Sequence, residues 1–198
     1  MTTLAADGQG QNSRAHPDSW IAASPGSLTF AEHGNEVRAS ARYDLGYGPD
    51  NAIKVIHHRE VVFVEQNYWI LFDTITGDGM HGIESRFQFG PGDLVVKGRQ
   101  VTTQFEDANL LVAFTGEWNV RILKGEENPR AGWYSAGYNK IEPAPTLSLT
   151  QEIDLPLRYT VLLFPFQGTQ TPETTFSLEN QTATVSFNGN IHTISASG

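Results

Sequence analysis

The run Val61-Val62-Phe63-Val64, then Glu65-Gln66-Asn67, then Tyr68-Trp69-Ile70-Leu71-Phe72-Asp73-Thr74-Ile75 decides the fold. Its two arms are rich in β-branched and aromatic residues, and the three polar residues between them can turn. Neither arm alternates cleanly between apolar and polar. A strand that is apolar on both sides must be covered on both sides. The hairpin, which reaches back to Ala52, is therefore expected at the centre of a layered β structure.

Away from this hairpin the pattern becomes alternating. Val37, Ala39, Ala41 and Tyr43 alternate with Arg38, Ser40 and Arg42. His81 to Phe89 places Ile83, Phe87 and Phe89 inward, with Glu84, Arg86 and Gln88 outward. Ser27 to His33 puts Leu28 and Phe30 on one face. Leu94 to Phe105 reads as one strand, stopped in front by Gly90-Pro91-Gly92-Asp93. Leu110 to Phe114, Val120 to Leu123, Leu147 to Gln151 and Tyr159 to Phe164 read as further strands, with Leu155-Pro156 between the last two. Asn188-Gly189 joins Ala183–Phe187 to Ile191–Ile194 as a tight hairpin. No window combines a helical apolar period with caps. The expected fold is all-β: an antiparallel β-sandwich of about a dozen or more strands with almost no helix.

A chain of 198 residues suits one such domain, spanning 1–198. Cys is absent, which removes disulfides, thiolate nucleophiles and Cys-bound zinc. The net charge of -9 opposes polyanions, so nucleic acid and anionic membranes are not expected partners. No apolar run is long enough to span a bilayer. After Arg158 there is no Lys or Arg, and the tail is rich in Thr, Ser and Asn, as in a solvated sheet face.

The chemistry-bearing residues form few patterns. His57 and His58 are neighbours on a strand and point to opposite sides, so they cannot act as a pair. His57, Asp73 and His81 lie on successive strands and are the nearest approach to a metal set, but no H-x-H or HExxH spacing supports them. Glu60, Asp73 and Glu84 are scattered, where glycosidase chemistry needs two carboxylates across a groove. Ser135 lacks the Gly two residues before it that a nucleophile elbow requires. Asp7-Gly8-Gln9-Gly10 reads as a hairpin turn rather than a phosphate loop. Gly125 to Pro145 reads as one long irregular stretch, and it carries Arg130, Trp133, Tyr134 and Tyr138. Aromatic planes can stack on sugar rings, and Arg can pair a uronate or sulfate. The same rings could instead close one end of the sandwich or meet another domain.

The order of several segments resembles a known family. Asp7-Gly8-Gln9-Gly10-Gln11 comes first. His58-Arg59-Glu60-Val61-Val62-Phe63-Val64 and Tyr68-Trp69-Ile70-Leu71-Phe72-Asp73 follow. Then come Gly132-Trp133-Tyr134-Ser135-Ala136-Gly137-Tyr138, Pro143-Ala144-Pro145, Leu155-Pro156 and Thr160-Val161-Leu162-Leu163-Phe164-Pro165. From Leu4 to Phe166 this resembles the C-terminal β-sandwich of the heparinase II/III-like polysaccharide lyases, which include oligo-alginate lyases. The resemblance implies a longer parent that cleaves uronate-containing glycans by β-elimination. It implies an α/α-toroid upstream, holding a Tyr/His acid–base pair and an Asn or Arg. It also implies an upstream His-x-His-x-Asp-like strand and an Asp-Pro-Gly-like turn, which with a later His supply a metal site. None of these aligns with this chain. The resemblance thus implies no catalytic residue, no metal and no cofactor within these 198 residues, and a sandwich that braces the toroid and lines its cleft. It also suggests a periplasmic or secreted protein.

The expected substrate-binding residues are Arg130, Trp133, Tyr134 and Tyr138, with His57 and Arg59. The expected partners are an acidic polysaccharide or oligosaccharide and the toroid. A weak homodimer is expected through an uncovered edge or face. The alternative is a stand-alone, non-catalytic carbohydrate-binding or assembly module.

Overall fold

A computed structural model describes residues 2–11 and 27–197 of the chain. The first strands are β1 (Thr2–Ala6), β2 (Ser27–His33), β3 (Glu36–Tyr43), β4 (Ile56–Val64), β5 (Tyr68–Thr76) and β6 (Met80–Gln88). Next come β7 (Leu94–Lys97), β8 (Gln100–Thr103), β9 (Ala108–Phe114) and β10 (Asn119–Leu123). The short strands β11 (Glu126–Glu127), β12 (Arg130–Ala131), β13 (Trp133–Gly137) and β14 (Lys140–Pro143) follow. The chain continues through β15 (Thr146–Asp154), β16 (Leu157–Gln167), β17 (Thr174–Glu179), β18 (Thr182–Phe187) and β19 (Asn190–Ser195). The helical content of the described residues is one 3₁₀ turn, Pro49–Asn51.

The strands form three stacked layers. The middle layer is an eight-stranded sheet ordered β2-β3-β4-β5-β16-β9-β8-β7. A four-stranded sheet, β1-β6-β15-β10, covers one face, and a three-stranded sheet, β17-β18-β19, covers the other. All pairings are antiparallel.

The β4–β5 hairpin lies in the middle sheet with register Val62↔Ile70 and Val61↔Leu71. Its alternate residues enter two separate cores. Leu71 and Ile75 face the four-stranded sheet, where they join Ile83, Phe87, Leu147 and Leu149. Val62, Val64, Ile70 and Phe72 face the three-stranded sheet, with Ala183, Val185 and Ile194. This is why neither arm of the hairpin alternates in sequence. Its turn holds Glu65 and Gln66 at φ 50° and 56°, a left-handed conformation that disfavours side chains by roughly 1–2 kcal/mol each. Burial of one Val, Leu or Ile contributes about 1.5–3 kcal/mol, so the two cores outweigh the turn several times over.

Three expectations need correction. Leu94 to Phe105 is two strands, because Gly98 at φ 59° reverses the chain between β7 and β8. Gly125 to Pro145 is not one irregular stretch: it folds into two small ribbons, β11–β12 and β13–β14. The polar tail hides a further strand, β17, joined to β18 by left-handed Asn180 and Gln181 rather than by a glycine turn. The Asn188-Gly189 hairpin forms as expected, and Asp7-Gly8 turns β1 back so that Ala6 bridges Gln9.

Candidate functional site

The structure separates the expected site residues into an interior row and a surface pocket. The interior row follows from register. Arg59 on β4 stands opposite Asp73 on β5, and Asp73 stands opposite Tyr159 on β16, all on the face beneath the four-stranded sheet. Asp73 is 1% exposed and accepts from His57 Nε2 at 2.5 Å and from Arg59 Nε at 2.7 Å through Oδ1. A second Arg59 nitrogen reaches Oδ2 at 3.1 Å. Burial alone would raise the Asp73 carboxyl. The charge of Arg59 and the His57 hydrogen bond overcome it and hold the carboxyl below its usual range.

Burial pushes the Tyr159 phenol upward, and its hydroxyl lies near Arg59 and Ser85 without a well-aligned hydrogen bond. Burial also pushes Tyr47 up to about 12, and Gln11 Nε2 reaches its hydroxyl at 3.2 Å. Arg59 is thus an ion-pair partner and His57 a hydrogen-bond partner of Asp73 inside the sandwich, and both lie outside the pocket described below. His58 is half-buried on the opposite face of β4. His81 does not join His57 and Asp73; its Nδ1 is 2.8 Å from Asp7 Oδ2. Among the described residues no group of three metal-ligating side chains converges.

The scattered carboxylates are occupied as well. Glu60 holds Arg38 and accepts from the Ser197 backbone N–H and hydroxyl, tying the C-terminus to the middle sheet. Glu84 takes Arg86 and the Ser148 hydroxyl.

The surface pocket is shallow, about 450 Å³, and it opens beside the four-stranded sheet. Register puts Thr3, Arg86, Ser148 and Arg121 in one row across β1, β6, β15 and β10. Thr3, Arg86, Gln88 and Thr146 form the sheet side of the pocket, and Arg130 to Trp133 form the loop side. The Arg130 guanidinium lies 5.5 Å from the centre of the Trp133 ring, a cation–π distance. Trp133 Nε1 donates to the Glu126 carbonyl at 2.9 Å, which fixes the ring.

Gly132 makes this packing possible. It sits at φ 72°, and a Cβ there would lie 2.4 Å from the Leu123 carbonyl oxygen. Its own carbonyl accepts from Gly125 and Ala144 N–H groups at 2.8 and 2.9 Å. Arg130 and Trp133 are therefore brought together, whereas Tyr134 and Tyr138 are not part of the pocket. Tyr134 follows Trp133 on β13 and so points to the other side of the ribbon, 41% exposed. Tyr138 projects fully from the β13–β14 turn.

Arg86, Gln88 and Thr146 were absent from the expected site. Alternation marked Arg86 and Gln88 as outward-facing. Only the β6–β15 register, with Thr146 opposite Gln88, shows that their face meets the Gly125–Pro145 segment.

The profile of the family described as "Heparinase II/III-like, C-terminal" matches residues 2–187. The chain belongs to this family. No curated protein sequence matches it. Among solved structures, heparan sulfate lyase HepC from Pedobacter heparinus superposes with a TM-score of 0.77 at 16% identity. That match covers 97% of this chain and 29% of the HepC chain. A heparinase III structure gives a TM-score of 0.70 at 18% identity, covering 97% of this chain and 28% of that one. At such identities the likeness establishes the fold of this heparinase II/III-like domain. The domain spans under a third of the length of either solved chain.

Proposed function

We propose that this domain is the sandwich of a polysaccharide lyase that cleaves uronate-containing glycans by β-elimination, and that it contacts the acidic chain through the Arg130–Trp133 pocket. β-Elimination needs a cation or amide to neutralise the uronate carboxylate, a base for the C5 proton and an acid for the leaving oxygen. This domain contributes to the first requirement and to holding the chain. Arg130 can pair a carboxylate or sulfate, Arg86 lines the same pocket while ion-paired to Glu84, and Trp133 offers a ring face for sugar C–H groups. The base and acid belong to the rest of the parent. Within this domain the His57 and Asp73 groups already bind each other in the interior.

The observation that carries this reading is a cationic pocket on a chain of net charge -9, in a member of this family. The Arg130 guanidinium acts within a Debye length of about 8 Å at physiological salt, so it can hold an anion despite the overall charge.

Bracing of the parent rests on a second observation. Register places Phe30 opposite Ala39, which stands opposite Val61, on the face of the middle sheet that bears the first core. Yet Leu28 and Phe30 are 73% and 68% exposed at the sheet's edge. Such an apolar edge suits a contact with the remainder of a parent chain. The same edge would support weak self-association of the domain alone.

The test has two arms on the 198-residue chain. Formation of unsaturated uronate from alginate and glycosaminoglycans, followed by ultraviolet absorbance, should stay at background. Calorimetric titration with their oligosaccharides should show salt-sensitive binding that Arg130→Ala weakens about tenfold, the loss of one charged contact. Turnover by the isolated chain, or binding indifferent to Arg130, would overturn the reading.

A further inference from the structure

A second concavity, about 1020 Å³, shares no lining residue with the Arg130 pocket. It runs between the β7–β8 hairpin, residues 169–175 and the β18–β19 turn. Its chemistry differs from that of the Arg130 pocket. The lining carries four side-chain amides, from Gln100, Gln104, Gln170 and Asn188, together with five threonines and one serine. Lys97 is its single cation and Glu173 its single anion, so the groove has no net charge.

Amide and hydroxyl side chains each present donors and acceptors, which is what a ligand of many hydroxyls requires. Val95 and Phe187 supply apolar surface in the same groove. The Phe187 ring is held edge-on against Phe164 at 4.9 Å and against His192 at 5.4 Å, so it is a fixed platform. The walls are tied as well. Gln100 Nε2 donates to the Thr174 carbonyl at 3.1 Å, linking β8 of the middle sheet to the start of the third layer.

We propose that this groove is a glycan subsite for uncharged sugar residues, separate from the Arg130 pocket. Apolar C–H faces would rest on Val95 and Phe187, and hydroxyls would be read by the surrounding amides. One lysine balanced by one glutamate gives a uronate or sulfate no preference there. This inference stands independently of the reading of the Arg130 pocket.

The test is a nuclear magnetic resonance titration of the isotope-labelled 198-residue chain with cellohexaose, mannohexaose and xylohexaose. At least one should give saturable shifts at the side-chain amides of Gln100, Gln104, Gln170 and Asn188. Gln104→Ala, at an exposed position, should weaken that binding about fivefold, the loss of one neutral hydrogen bond. Thr171→Trp, which fills the groove from an exposed loop, should abolish it, and Arg130→Ala should leave it unchanged. No saturable shift with any of the three sugars would overturn the proposal. So would binding that survives Thr171→Trp undiminished, or that is lost in Arg130→Ala. An alginate hexasaccharide that saturates the groove as tightly as the neutral sugars would overturn its assignment to uncharged residues.

Discussion

Arg59 and Arg130 carry the same guanidinium, and each lies near an aromatic ring, Tyr159 in one case and Trp133 in the other. Arg59 is 16% exposed and spans both oxygens of a buried carboxylate that His57 also binds. Arg130 has an exposed position and no ion-pair partner among the described residues. The difference is one of remaining valence. In the interior row Arg59 and Asp73 neutralise one another, and their contact ties β4 to β5. At the surface a rigid ring and a hydrogen-bonded loop present a cation whose main alternative partner is water. Residue type alone does not distinguish the two cases.

The sharpest way to break this contrast is to remove one partner from each place. Arg59→Met leaves the Asp73 carboxylate buried beside His57 alone. Stranding one member of a buried pair costs roughly 3–5 kcal/mol, so the melting temperature should fall by about 10 °C or more. Arg130→Ala should move it by less than about 2 °C, since surface substitutions usually stay within ±0.5 kcal/mol. Thermal denaturation of the two variants side by side decides the matter. Equal shifts would mean that the interior row is not a saturated structural unit.

Acid sharpens the same contrast. The folded Asp73 carboxyl is held below its unfolded value of about 3.9, and Glu60 and Glu84 are also lowered. For groups depressed in the folded state, the stability they contribute is present above the unfolded pKa. It is lost as pH falls through the folded one. Melting temperature should therefore be insensitive to these groups near neutrality and fall below about pH 4. Asp73→Asn should flatten part of that acid limb. An unchanged limb would remove Asp73 from the account.

How much of this was legible in sequence depends on what each feature needed. The central hairpin was legible because apolarity on both faces of Val61–Val64 and Tyr68–Ile75 has few explanations besides double cover. Strand β17 was not, although Phe176 and Leu178 alternate with Thr175, Ser177 and Glu179, because it lies in a polar tail and its turn, Asn180-Gln181, carries no glycine. Arg130 and Trp133 could be named from residue type and loop context. Their partners Arg86, Gln88 and Thr146 could not, because strands β6 and β15 are far apart in sequence and their pairing sets which outward face meets the loop. His57 and Arg59 lie apart from that pocket, and the sequence does not show it. A histidine and an arginine on one strand look available until the strand that carries Asp73 is laid against them.

Gly132 sets the surface side of the comparison, since it closes the loop against the end of β10. Gly132→Ala would force a Cβ into the Leu123 carbonyl and place a side chain at positive φ. Strain of this kind costs about 1–3 kcal/mol, and the loop can relieve it by lifting away. Anionic-oligosaccharide binding should therefore drop at least as far as in Arg130→Ala, with a smaller loss of thermal stability than in Arg59→Met. Titration calorimetry and a melting curve on the same sample separate the two effects. Full binding in Gly132→Ala would show that the loop geometry is not what holds Arg130 over Trp133.

The smallest expected effect belongs to Tyr138. Its ring is fully exposed at the tip of the β13–β14 ribbon, next to Asn139 at φ 58°. Nothing in the fold depends on it, so Tyr138→Ser should change stability by less than about 0.5 kcal/mol. Its effect on binding is the informative part. Trp133 turns toward the pocket and Tyr138 lies beyond the ribbon, so a short acidic oligosaccharide seated at Arg130 should not reach it. Binding of a disaccharide should be unchanged in Tyr138→Ser, whereas binding of a polymer long enough to pass the ribbon could weaken by the few-fold that one stacked ring contributes, about 0.5–1.5 kcal/mol. A disaccharide whose affinity falls in Tyr138→Ser would place the ring at the pocket itself. It would also reunite the aromatic cluster that the alternation of β13 divides.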